Sequence, residues 1–513
     1  MTRVSVAMTR ELEARARGHL LRPDGQEDVC LATYAPSTGE RRTTGVLTDL
    51  VLPLDGERSV HGNASFSGRY VVRAASQAAE HGRGIALLHS HPESTGWQEM
   101  SGVDRDTEHS YARVAETITG HPLVGLTVAA DATWSARFWD SEHGHRDAES
   151  VRITGTALRV CWNGRLRPPP APTSAQVRTV SAWGEAVQAD LARLRVLVVG
   201  VGTVGLDLAI RLVQAGAQDV SVMDFDTVEE VNLDRLLTAT RTDAALFRSK
   251  IHVALRAMRA ATTAAKPVLS GYDLSICEPQ GQRTALDHDV IFSCVDRPWA
   301  RAVLNQLAYS DLIPVIDGGL ALEPFPNGGM RNATWRAHVV TPGRPCLQCN
   351  GQIDGAQVAR DRAGLFDDTT YIRTAGLKAP SRENVSLLAP SVTASMLAQF
   401  VSLAVTPGGL GAPDPLRFSL STHTLEHMPV ETLATCPYEQ ATGWGDRRPT
   451  LAKHHPAAEA ARRQRETHAR TGRVRAGRVF QNLIGLGSVA IQRLLATDTD
   501  RDVGMSEGSG GVA

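Results

Sequence analysis

Residues 195–215 read RVLVVGVGTVGLDLAIRLVQA, and this stretch decides the fold. Arg195–Val199 is a short, continuous apolar run, the pattern of a strand buried on both faces. Gly200, Gly202 and Gly205 follow at once, and Leu206–Ala215 carries the spacing of an amphipathic helix. Strand, glycine turn and helix in that order open a doubly wound α/β sheet. The glycines permit a tight turn and let phosphate approach backbone N–H groups at the helix start. The next apolar run, Val220–Met223, ends in Asp224, 19 residues past Gly205, where a carboxylate takes a ribose hydroxyl. Taken alone, the segment is a dinucleotide fingerprint, and an NAD-dependent oxidoreductase is one reading of it.

The residues beyond Asp224 suit a different nucleotide. Asp226, Asn232, Arg235 and Lys250 add a carboxylate, an amide and two cations. Grouped cations fit a triphosphate whose charge is neutralised during attack on its α-phosphate. Another apolar run, Ile291–Val295, ends in Asp296, a position suited to Mg²⁺. The ordered set resembles the adenylating domain of ubiquitin-activating E1 enzymes and their bacterial ThiF/MoeB/HesA relatives. It comprises Trp183-Gly184-Glu185, the three glycines, Asp224-x-Asp226, Asn232-Leu233-x-Arg235, Lys250, Asp296 with Arg301, and Asp317-Gly318-Gly319. The resemblance implies a Rossmann-like domain with a mostly parallel sheet. It implies that Gly200, Gly202, Gly205, Asp224, Asp226, Asn232, Arg235 and Lys250 bind ATP, and that Asp296 positions Mg²⁺. Arg178 matches a family arginine that reaches the nucleotide of the partner subunit, and it reads equally as a solvated linker charge. A homodimer is the expected assembly.

Upstream, residues 165–175 read RLRPPPAPTSA, a proline run incompatible with a helix or a central strand. Before it lie short strand-like runs at Val29–Tyr34, Thr44–Leu52, Ile85–His89, Leu123–Ala129 and Ala136–Trp139. We divide the chain into 1–160, a linker 161–175, 176–445, and a polar, partly helical or disordered tail 446–513.

The run before His89 delivers His89-Ser90-His91-Pro92, and residues i and i+2 of a strand share a face. Two imidazoles on one face are a natural zinc pair. Ser101 and Asp104 follow at the head of a helical pattern, where they also read as a helix cap. Together the four residues resemble the JAMM motif of JAB/MPN metalloproteases, which cut at the C-terminus of ubiquitin-like proteins. The resemblance covers about residues 1–150 and implies an α+β domain with a cytidine-deaminase-like sheet. By it, His89, His91 and Asp104 hold zinc, Ser101 donates to the tetrahedral intermediate, and Glu27 is the general base, with Asp28 and Glu40 as rivals. The spacer from His91 to Ser101 is nine residues, two longer than the commonest form.

Seven cysteines are too sparse for a disulfide framework. Cys346 and Cys349 form a CxxC, and Cys436 is followed by Glu439 where the family places a second CxxC. Three thiolates with a fourth ligand from Glu439, His423 or His427 hold zinc in one reading; a redox pair is the other. No cysteine lies between Cys349 and Cys436 to serve as a separate thioester nucleophile.

A net charge of −1 argues against a nucleic-acid coat. No apolar run of about 20 residues marks a membrane span. The charged start lacks a signal-peptide core, so the cytoplasm is the expected compartment. The whole predicts a fusion: a zinc-dependent (iso)peptidase followed by an ATP- and Mg²⁺-dependent adenylyltransferase. Both act on the C-terminal glycine of a ubiquitin-like protein, with an E2-like protein as a further partner. Sulfur-carrier activation for cofactor or natural-product synthesis is the alternative for the second half, and a binding-only scaffold for the first.

Overall fold

The computed structural model describes residues 2–61, 63–140, 144–374, 385–428 and 430–468. Two mixed sheets organise them. The first has nine strands, in the order Arg159–Trp162, Ser150–Thr154, Arg3–Thr9, Arg42–Val51, Val29–Thr38, Gly84–His91, Leu123–Ala129, Trp134–Asp140 and Gly144–Asp147. The helix Arg10–Leu20 covers one face through Leu12, Ala16 and Leu20. The helices Gly68–Glu80 and Gly102–Thr119 cover the other through Tyr70, Ala74, Ala112 and Ala115. Burial on both faces explains the near-continuous apolar runs of the central strands.

The second sheet runs in the order Val268–Tyr272, Asp219–Met223, Arg195–Val199, Val290–Ser293, Val315–Pro324, Met330–Val340, Leu416–Ser419 and Thr424–His427. The first five strands are parallel, with Thr203–Gln214 and Lys250–Ala261 on one face and Pro298–Ser310 on the other. The last three pairings are antiparallel, so "mostly parallel" overstates the sheet. The cause is local: Asn327-Gly328-Gly329 closes a hairpin, with Gly328 and Gly329 at φ +91 and +84.

The apolar-run expectation also needs correction. Ser386–Ala404 is helical, long and apolar enough to cross a membrane by length and composition. In this fold it packs Val392, Met396, Phe400 and Leu403 against the second sheet, as a core helix does.

A buried polar seam joins the two sheets. Arg42 and Arg152 of the first reach Asp289, and Arg195 of the second pairs with Glu149. Ser37 donates to Asp311 at 2.7 Å, and Arg152 Nε donates to the Leu312 carbonyl at 2.9 Å. Asp289 and Leu312 precede the strands Val290–Ser293 and Val315–Pro324, so the first half docks on the amino ends of the parallel strands.

Candidate functional site

The carboxyl ends of those parallel strands carry the glycine loop. Gly200 has φ +87, and a Cβ there would lie 2.6 Å from the Cys294 carbonyl oxygen. A Cβ on Gly205 would lie 1.9 Å from the Gly200 oxygen, so this glycine lets helix and strand pack together. Gly202, the N-cap of Thr203–Gln214, has open space above it, the room a phosphate needs at a helix start.

Asp224 stands beside this loop. Its carboxylate accepts from Val201 N at 2.6 Å and from Asp226 N at 2.7 Å. Burial raises its pKa, Lys250 opposes the shift, and Asp226 adds to it. Lys250 opens the helix Lys250–Ala261, capped by Ser249, and donates to Asp226 at 2.7 Å. Burial alone would lower the Lys250 pKa, but Asp224, Asp226 and Asp296 raise it above the usual range. Lys250 is therefore a fixed ammonium among three carboxylates. Asp296 is exposed, just past the end of Val290–Ser293. A strand-end carboxylate of this kind suits a hydrated Mg²⁺, which keeps several of its waters.

Three sequence-assigned residues stand apart from this cluster. Arg235 donates to the Val231 carbonyl and to Asp234, and Asn232 caps its own short turn by accepting from Glu229 N. Arg178 lies exposed on the short helix Val177–Trp183, which buries none of its side chains. Sequence reading quoted Asp317 and Arg301 but missed Arg336. Asp317 is fully buried, paired with Arg336 and with Arg301, and accepts from Ser293 at 2.7 Å. Arg336 sits on the adjacent antiparallel strand Met330–Val340, where no local motif marks it.

The second constellation forms at the end of Gly84–His91. The His89 and His91 Nε2 atoms lie 3.5 and 3.4 Å from Asp104 oxygens. Ligands of a tetrahedral zinc, each about 2.1 Å from the metal, stand about 3.4 Å apart, so the three residues fit that ion. Ser101 and Asp104 also form a capping box: Ser101 Oγ accepts from Asp104 N, and Asp104 accepts from Ser101 N. Burial works against the Asp104 charge, but His89, His91 and Ser101 hold its pKa well below the carboxylate range. The pairing of Val29 with His89, carried two residues on, puts Glu27 across from His91. Glu27 also acts electrostatically on that imidazole. The rivals are engaged elsewhere: Asp28 is buried against Arg58 at 2.7 Å, and Glu40 pairs with Arg283. Behind His89, Thr127 Oγ1 lies 3.3 Å from Nε2 and accepts from Arg137, which is clamped by the buried Glu108. Sequence reading missed this support, because its members come from three separate elements.

Cys346, Cys349 and Cys436 converge, with Cys346 Sγ 3.5 Å from each of the other two. Burial pushes the Cys346 thiol up. Burial also opposes ionisation of Cys349, but the Leu433 N–H and its neighbouring thiols bring it below the usual thiol range. His423, in the turn before the exposed edge strand Thr424–His427, and His427 on that strand do not join the cluster. Glu439 keeps a buried oxygen without a hydrogen-bond partner, but it too lies outside the three-cysteine cluster, so none of the three expected fourth ligands joins it. The other four cysteines are isolated, Cys30, Cys161 and Cys277 buried and Cys294 half-buried.

The fold and the first site define a doubly wound α/β protein with an open glycine turn and a carboxylate cluster at the strand carboxyl ends. The sequence model of the ThiF family matches residues 173–432, half of the chain, and the chain belongs to that family. It is 28% identical over 164 residues to the molybdopterin-synthase adenylyltransferase of Escherichia coli K12, covering 31% of this chain and 60% of that protein. It is 30% identical over 166 residues to the adenylyltransferase and sulfurtransferase UBA4 of Yarrowia lipolytica, covering 29% of this chain and 38% of that one. The chain thus spans less than two thirds of these relatives. Among solved structures it is similar to E. coli MccB with ATP, at 14% identity and a TM-score of 0.40, over 52% of this chain and 75% of that one.

Proposed function

We propose that the second half adenylates the C-terminal carboxylate of a sulfur-carrier or ubiquitin-like protein. The observation that carries this reading is Lys250, held among Asp224, Asp226 and Asp296 beside the open Gly202 turn. A free carboxylate is a poor electrophile. Its oxygen attacks the α-phosphorus of ATP, the bond to the β-phosphate oxygen breaks, and pyrophosphate leaves. Gly202 and the helix start take the phosphates, Asp224 the ribose, and Lys250 the developing charge. Asp296 takes Mg²⁺. The adenylyltransferase names of the matched relatives support this chemistry over hydride transfer, and the sulfurtransferase name supports a sulfur-carrier setting. ATP–pyrophosphate exchange tests it. Exchange should require a small protein ending in glycine and should vanish in Asp296→Ala and Lys250→Ala; exchange unchanged in both overturns the assignment.

A second reading concerns the first half: a zinc-dependent (iso)peptidase acting on the same tail. It rests on the ligand spacing at His89, His91 and Asp104 with Glu27 opposite. Zinc there would be held by those three residues and would supply Lewis acidity. Glu27 takes the proton of the attacking water, and Ser101 donates to the oxygen that gains charge. The cysteine trio, completed by a fourth ligand, would hold a structural zinc. A cytoplasmic homodimer, with Arg178 reaching the partner's nucleotide and an E2-like protein accepting the product, completes the proposal. Sedimentation and an Arg178→Ala/Asp296→Ala mixing experiment test the dimer: recovery of exchange in the mixture supports action in trans, and none refutes it.

A further inference from the structure

The segment 447–468, part of the polar, partly helical or disordered tail expected over 446–513, lies across the nucleotide end of the second sheet. It touches the loops that follow three parallel strands. After Val290–Ser293, Trp299 Nε1 donates to the Leu451 carbonyl at 3.0 Å, and the Trp299 ring meets His455 at 5.2 Å. After Val268–Tyr272, Arg462 pairs with Glu278 at 2.6 Å, and Arg465 takes both Asp273 oxygens at 2.5 and 2.7 Å. After Asp219–Met223, the same Arg465 donates to the Phe225 carbonyl at 2.7 Å and to Thr227 Oγ1 at 2.9 Å. His455 packs on the Phe225 ring at 5.1 Å.

Phe225 is the residue between Asp224 and Asp226. Arg465 therefore grips the loop that carries the ribose carboxylate and the Lys250 partner, and ties it to the neighbouring strand's loop. None of these bonds involves Gly202, Asp224 or Lys250, so the segment shapes the wall of the cradle without taking up its ligating groups. A guanidinium suits this task, since its fixed fork bridges a carboxylate on one side and neutral oxygens on the other.

We propose that residues 447–468 are a strap that closes the nucleotide site, and that Arg465 is its positioning residue for ATP. This rests on the nucleotide reading above. The strap fixes the Asp224–Thr227 loop in its binding geometry before the nucleotide arrives, so its loss is felt in affinity.

The test is calorimetric titration of the full chain with a non-hydrolysable ATP analogue and Mg²⁺. Arg465→Ala should weaken binding at least tenfold, Arg465→Lys should recover part of it, and Thr227→Val should weaken it by a smaller factor. Arg463→Ala, on the exposed face of the helix 456–468 that also carries Arg465, should bind as the wild type does. Thermal melts without nucleotide should match. Amide exchange at 224–227 should quicken in Arg465→Ala and Thr227→Val. Equal or tighter binding by Arg465→Ala overturns the strap alone, as does unchanged exchange at that loop. A wild-type chain that binds no analogue overturns the nucleotide reading, and the strap falls with it.

Discussion

Arg42 Nη1 donates to Asp289 Oδ1 at 2.5 Å, with both side chains out of solvent. The two residues come from different sheets, and Arg152 and the Arg195 backbone N–H share the same carboxylate. Burial works against the Asp289 charge, but Arg42, Arg195 and Arg152 hold its pKa well below the carboxylate range. The halves are thus joined through a charge that neither could bury alone. Asp289→Ala should destabilise the chain by about 3–5 kcal/mol, the cost of leaving buried cations unpaired. Urea denaturation should show it, with the single wild-type transition splitting in two.

Two buried histidines make the fold acid-sensitive. Burial, aided by Arg42, lowers His288 to about 3. Burial, opposed by Asp317 and aided by Arg336, lowers His338 to about 4. An unfolded histidine takes a proton near pH 6.5, and these folded ones do not until far lower. Their contribution is complete above that unfolded value and is lost as pH falls toward the folded ones. Each should cost about 2 kcal/mol of stability by pH 5. Melts between pH 7 and 4 should fall steeply, and His288→Gln should flatten the fall.

The nucleotide end was legible because glycine geometry and strand burial leave local marks. Gly205 is required by its contact with Gly200 one turn away, Gly200 by its positive φ, and the run 195–199 is buried on both faces. The antiparallel extension was less legible: the apolar alternation of 315–324 was absorbed into a motif, and the Asn327–Gly329 turn went unread. Glu27 became distinguishable from Asp28 only through the pairing of Val29 with His89, whose continuation sets Glu27 across from His91. The strap left no mark at all. Arg465 bonds Asp273 across nearly two hundred residues of chain, and in sequence it is one of many arginines in a polar helix.

The three glycines do different work, and alanine separates it. Gly205→Ala puts a Cβ into the Gly200 carbonyl and should destabilise the fold by about 3 kcal/mol. Gly202→Ala meets no atom within 4 Å and should leave the melting temperature unchanged while abolishing nucleotide binding. Thermal melts paired with ATP-analogue titration check both. A stable Gly205→Ala chain, or a Gly202→Ala chain that still binds, would contradict the geometry.

At the first site, ligand and base should come apart. His91→Ala should remove zinc and cleavage together. Glu27→Gln should keep one equivalent of metal and lose cleavage by about a hundredfold or more, since only the proton acceptor is gone. Metal analysis and cleavage of a ubiquitin-like fusion decide it. Full cleavage by Glu27→Gln would move the base to another carboxylate.

The two sites face away from each other. Val29 pairs with His89 at the histidine end of the sheet, while Ser37, eight residues on and roughly 27 Å away, bonds Asp311 at the seam. Beyond the seam, the parallel strands lead from Asp289 to Asp296 and the glycine loop. A flexible tail of about six residues reaches only about 20 Å, so one bound partner cannot present its tail to both sites of a chain in turn. On the proposed activities, a trimmed partner would have to leave before being adenylated. Equal amounts of His91→Ala and Asp296→Ala chains should therefore convert an extended precursor to the adenylate at about half the wild-type rate, with no added lag. The measurement is pyrophosphate release from the precursor, with already trimmed partner as the control. A long lag or a near-silent mixture would mean that the tail is passed within one chain, and that the halves move relative to the seam during the reaction.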